Sequence, residues 1–180
     1  MCPSREAKIA DAFMIVGAQY FATARRVAVE FVMPLSGILY HHAIELFLKA
    51  CLVPSLSVKP LKALGHDLGA LWAAWRTTSQ GAPLAGFDNV VKGLDRFERI
   101  RYPDKIVDER SAIGISLGGP GPSLVDAMAP TAPKYKLNVE ELDDLVIALF
   151  RASSTPLSPY FAQLPDVLRT SLPAPFTDGK

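Results

Sequence analysis

Apolar residues recur at helical spacing along most of this chain, and the first run is long. Ile9, Phe13, Val16, Tyr20, Val27 and Phe31 fall on one side, while Lys8, Asp11, Gln19, Arg25 and Arg26 fall on the other. The spacing predicts an amphipathic helix over Glu6 to Val32 that ends before Pro34. The next run, Leu39 to Val53, is apolar at almost every position except His41, His42, Glu45 and Lys49. A helix that is apolar nearly all round is buried, and its polar residues need partners. It should stop near Pro54.

A short connection, Ser55 to Gly65, contains PLKAL, with Pro60 suited to a first helical position and Gly65 to a terminator. Asp67 can cap a third helix that buries Leu68, Leu71, Trp72 and Trp75 and is broken by Gly81 and Pro83. A fourth carries Phe87, Val91, Leu94, Phe97 and Ile100 and stops before Pro103. The pattern then dissolves from about residue 101 to 137 into a Gly/Pro-rich loop in which only Ser111 to Leu117 could pair as a short strand. Asn138 with Glu141 is a capping-box variant opening a fifth helix through Leu142, Leu145, Val146 and Leu149. Ser158 to Ser171 suits one more short helix, and the Pro-rich remainder reads as a frayed tail. The expectation is an all-α fold: an antiparallel four- to five-helix bundle in one domain, with a core over about 6–153 and a C-terminal extension over about 154–180.

Composition narrows the function classes. A formal net charge of +1 supplies no basic field for nucleic acid and no acidic one for a solvating tail. Two cysteines, Cys2 and Cys51, make neither a disulfide framework nor a CxxC pair, which suits a reducing cytoplasm. Ala12 to Ala24 has the hydrophobicity of a signal-peptide core, but Glu6 and Asp11 precede it, Gln19 and Tyr20 interrupt it, and its register continues beyond the Ala-x-Ala site. No stretch is long and clean enough to span a membrane.

HHAIELFLKACL, followed by GHDL and then by RYPD after the fourth helix, resembles the HEPN family (higher eukaryotes and prokaryotes nucleotide-binding) of small helical domains. The resemblance covers about Ile9 to Leu149 by helix order, with its sharp motifs in Tyr40–Leu71 and Arg101–Asp104. It implies an antiparallel bundle, a homodimer, and a bacterial toxin–antitoxin or antiphage role with a protein partner, nucleotide or RNA. Many catalytic members are metal-independent ribonucleases that place a histidine after an arginine with four to six residues between. Arg96, Arg99 and Arg101 occupy that region here, but no histidine follows His66, and no arginine stands at that distance before His41, His42 or His66. The basic half of the site is present and the proton-transferring half is missing. No catalytic residue and no cofactor is therefore expected, and the chain reads as a non-catalytic module.

The alternative is an RNA endonuclease with a displaced site, pairing Arg99 or Arg101 with His42 or His66. A second alternative is a metal- or small-molecule-binding bundle. His41, His42, Glu45, His66 and Asp67 offer nitrogen and oxygen ligands, but adjacent histidines on a helix point about 100° apart, so only one should face a site with Glu45. The structural reading is preferred: Glu45 pairs with Lys49, and His42 or His66 bonds across to it. The expected polar cluster comprises His42, Glu45, Lys49, His66, Asp67, Arg101 and Tyr102. Arg101 should bond a carboxylate such as Glu45 or Asp67, Tyr102 should anchor the helix end, and Arg99 with Arg101 is the candidate phosphate-binding pair. Gly114-Ile115-Ser116-Leu117-Gly118 matches a nucleophile elbow by letter, yet every histidine precedes it. SLGGPGP lacks the Lys-Ser/Thr of a P-loop.

Overall fold

A computed structural model describes residues 3–79, 84–102, 104–105, 113–117 and 135–177. The described residues are mostly helical. Helix α1 (Arg5–Val29) starts at Ser4, whose Oγ accepts the Ala7 amide at 3.1 Å, and helix α2 is Leu35–Leu52. Small residues on the buried face of α1, among them Gly17, Ala18 and Ala22, let α2 lie close. A Cβ on Gly17 would stand 2.7 Å from the Phe47 ring. Gly17 meets Phe47 near the end of α2 while Phe21 packs edge-on against Tyr40 nearer its start, so the two helices run antiparallel. The first helix ends three residues short of Val32, because Phe31 takes a left-handed φ of 57° and turns the chain.

After α2 comes α3 (Val58–Ala63), which begins two residues before Pro60, so that proline sits inside the first turn, where its missing N–H costs nothing. Gly65 at φ +59° terminates the turn that follows. Helix α4 (Leu68–Thr78) is capped by Asp67, whose Oδ1 accepts the Ala70 amide at 2.8 Å, and it buries Leu68, Leu71, Trp72 and Trp75. The fourth predicted helix is three pieces: a 3-10 turn over Ala85–Phe87, helix α5 over Asp88–Asp95, and a 3-10 segment over Arg96–Ile100. Of the expected apolar residues Val91, Leu94, Phe97 and Ile100 are buried, and Phe87 is half-buried.

The fold is not purely helical. Strand β1 (Ile113–Ser116) pairs in parallel with β2 (Tyr135–Asn138), Ile113 opposite Tyr135 and Ser116 opposite Asn138. The pairing joins the interior of the expected 101–137 loop to its end, and Tyr135 buries its ring edge-on against Phe97 at 5.6 Å. Asn138 ends β2 and caps α6 (Val139–Ala152), its Oδ1 accepting the Glu141 amide at 3.1 Å.

The C-terminal segment is neither one helix nor a frayed tail. It forms α7 (Ser158–Ala162), α8 (Asp166–Arg169) and α9 (Ala174–Thr177), three short pieces. Phe161 and Phe176 are fully buried, and both lie against Phe21 of α1. Arg25 ties the same region down: its Nε donates to both carboxylate oxygens of Asp143 at 3.0 and 3.1 Å, and its Nη1 donates to the Ser171 carbonyl. Two aromatic anchors and one guanidinium outweigh the frequent prolines. Among the described residues, no helix is long and apolar enough to cross a membrane.

Candidate functional site

The polar residues of α2 gather around Glu45, which is 3% exposed. Lys49, one turn on, donates from Nζ to Glu45 Oε1 at 2.5 Å. His66 Nδ1 lies 3.1 Å from Oε1 and 3.0 Å from Oε2, so it carries the proton and donates to the carboxylate. His42 Nδ1 is 3.5 Å from Oε2. Burial pushes the Glu45 carboxyl up, but the contacts from His42, Lys49 and His66 outweigh it and hold it down at about 2. His66 reaches this position because Gly65 reverses the backbone just before it and Asp67 fixes the start of α4 just after.

Asp67 and Arg101 are placed elsewhere. The Asp67 carboxylate is spent on its cap. Arg101 pairs with Glu98 Oε1 at 3.0 Å rather than with Glu45 or Asp67, because the 3-10 winding sets Glu98 three residues back on its own face. Tyr102 does not anchor the helix end: it is 61% exposed, with the Arg101 guanidinium 5.2 Å above its ring. Arg99 is exposed on the last turn.

The residue the sequence undervalues is His41. Its side chain is 0% exposed, and neither ring nitrogen has a hydrogen-bond partner. Two carboxylates stand beyond bonding range, Asp95 Oδ1 at 3.8 Å from Nε2 and Glu98 Oε2 at 3.8 Å from Nδ1. Burial lowers the His41 pKa against the pull of Glu98, Glu45 and Asp95, so the ring is kept neutral. Asp95 Oδ1 also accepts the Leu68 amide at 3.1 Å, fastening the start of α4 to the end of α5. The spacing of Asp95, Glu98 and Arg101, three residues apart on one helical face, was the sequence signal for this second layer.

His41 and His42 do not diverge as neighbouring positions on a helix suggest. One ligand atom each from His41, His42 and Glu45 lie within 4.8 Å of one another. Imidazole nitrogens sit well out along the side chain, and rotation about its two side-chain torsions undoes the angular offset at the Cα. Glu98 stands between the layers, its Oε1 paired with Arg101 and its Oε2 beyond bonding range of His41 at 3.8 Å.

Ser116 of the GISLG stretch is 5% exposed in β1, in register with Asn138, and every histidine lies on α2 or at the corner before α4. The SLGGPGP stretch lies outside the described residues beyond Leu117. A separate cavity of about 580 Å³ opens where the start of α1 meets the ends of α2, α4 and α6, lined by Lys8, Asp11, Cys51, Trp75, Ser153 and Tyr160 among others. Burial pushes the Cys51 thiol up to about 11 and the Tyr160 hydroxyl up to about 12. Neither group is a ready nucleophile at neutral pH. Protein-family models, curated proteins and solved structures contain no match to this chain.

Proposed function

We propose that this chain is a non-catalytic, HEPN-like helical module that works by association: it forms a homodimer and engages a partner protein, nucleotide or RNA, in a bacterial toxin–antitoxin or antiphage setting. The observation that carries this reading is the separation of cation from imidazole. Among the described residues, Arg101 is engaged by Glu98, His66 donates to Glu45, and His41 is sealed from solvent, so Arg101 is kept apart from both imidazoles. Cleaving RNA without a metal needs the two to converge. The helix order that carries the HEPN resemblance also supports the reading, with the GHDL corner presenting His66 to Glu45.

An exposed apolar strip supports association. Val16 and Tyr20 of α1, with Phe31, Val32 and Leu35 at the turn into α2, stay in contact with solvent. Sedimentation equilibrium at micromolar concentration should give twice the chain mass, and Tyr20→Lys with Phe31→Lys should shift it to the monomer. Incubation with labelled RNA should leave the RNA intact. A monomer at all concentrations, or cleavage abolished by Arg101→Ala, would overturn the reading.

A further inference from the structure

A buried histidine with both nitrogens unbonded forfeits hydrogen bonds that even a modest rearrangement could supply, and proteins seldom leave such a group without a use. His41 is one ligand-sized step from two others. Ligand atoms of His41, His42 and Glu45, one from each, lie within 4.8 Å of one another. The donor set is two imidazoles and one carboxylate, a combination found at zinc centres that keep a fourth position open. The spacing suits one pair directly, and the third ligand needs to draw in. Two ligands held about 2.0–2.1 Å from a tetrahedral ion are about 3.3 Å apart. His42 Nδ1 and Glu45 Oε2 are 3.5 Å apart before any ion draws them in.

The surroundings have the form that tunes such centres. Histidine ligands usually give their second nitrogen to a carboxylate. Whichever His41 nitrogen coordinates, the other has a carboxylate oxygen 3.8 Å away, from Asp95 or from Glu98. Lys49 and His66 grip the Glu45 carboxylate from outside and fix its direction. An entry path exists, because the His66 side chain is 60% exposed and that of His42 25%.

We propose that His41, His42 and Glu45 form a binding site for one divalent transition-metal ion of the zinc class, with Lys49 and His66 positioning the carboxylate and a water completing the coordination. The ion gives the unbonded His41 nitrogen a partner and rivets three residues of α2 into one unit. The proposal is independent of the association reading, since a monomer or a dimer could hold the ion equally.

The test uses the full chain, stripped with a chelator and then dialysed. Zn2+ is titrated by calorimetry and Co2+ by its visible d–d absorption. One saturable equivalent per chain is expected, with a low-symmetry Co2+ spectrum that lacks a thiolate charge-transfer band. Loss of an outer-sphere partner of a metal typically weakens binding about 10–100-fold. His66→Gln should fall in that range, and His42→Gln should lose at least as much, because it removes a ligand. His42 is partly exposed, so His42→Gln keeps the test decisive if His41→Gln fails to fold, as circular dichroism would report. Absence of saturable binding would overturn the site. So would a thiolate band, which would put the metal on a cysteine, or equal affinity in wild type, His42→Gln and Glu45→Gln.

Discussion

Glu45 and His41 stand one turn apart on α2, both buried and both polar, and the fold treats them oppositely. Glu45 has Lys49 and His66 hydrogen-bonded to its carboxylate and His42 at 3.5 Å. His41 has two carboxylates at 3.8 Å and no hydrogen bond. Burial acts against the charged form of each. It wins at His41, which stays neutral, and loses at Glu45, which stays ionised. The difference teaches that donor distance, not depth, decides which buried group keeps its charge here.

The largest expected effect comes from removing the satisfied partner. Glu45→Ala should destabilise the chain by about 3–5 kcal/mol, because it leaves the Lys49 ammonium buried against a missing carboxylate. Denaturant unfolding should show this beside a shift of under about 0.5 kcal/mol for Glu30→Ala, whose salt bridge to Arg26 is exposed. Similar effects in the two variants would mean that the cluster is solvated.

Acid should separate the two groups. The folded His41 resists a proton that the unfolded chain takes up around 6.5, so stability falls as pH drops below that value. Glu45 is held at about 2 against an ordinary 4.5, so its contribution is intact above 4.5 and is lost as pH falls from 4.5 towards 2, on the order of 3 kcal/mol in all. Unfolding free energy followed from pH 8 to 3 without metal should therefore carry two declining phases, superposed on an opposing rise from Asp143, whose carboxyl burial pushes up to about 6. His41→Leu should remove the upper phase and Glu45→Gln the lower. One unbroken phase surviving in both variants would defeat the comparison. The smallest effect belongs to Arg101→Ala, which the same measurement should not distinguish from wild type, since its pair with Glu98 is exposed on the arginine side.

Much of the frame was legible because it depends on local rules. The antiparallel pair α1 and α2 follows from periodicity, and the caps at Asp67 and Asn138 follow from side chains that accept amides three residues on. Three of the expected cluster residues, His42, Lys49 and His66, do meet the fourth, Glu45. What was not legible depended on distant partners. Ser111 to Leu117 reads as a stretch able to pair as a strand, and β1 falls within it, but no local pattern names Tyr135 to Asn138 as its partner. Nothing within the proline-rich end says that Phe176 will stack on Phe21, 155 positions earlier by subtraction of the two numbers. Arg101 does bond a carboxylate, but it is Glu98, three residues away, and neither Glu45 nor Asp67 across the bundle. His41 was discounted because helix geometry fixes where a Cβ starts, not where an imidazole ends.

The small sheet has a consequence for the order in which the chain assembles. Parallel strands cannot be joined by a tight hairpin. Ser116 and Tyr135 stand 19 positions apart by subtraction of the two numbers, so the register of four residue pairs forms only when two distant stretches of sequence meet. Contacts of that separation are slow to form. Asn138 both ends β2 and caps α6, so the sheet is a late latch that seats the last long helix.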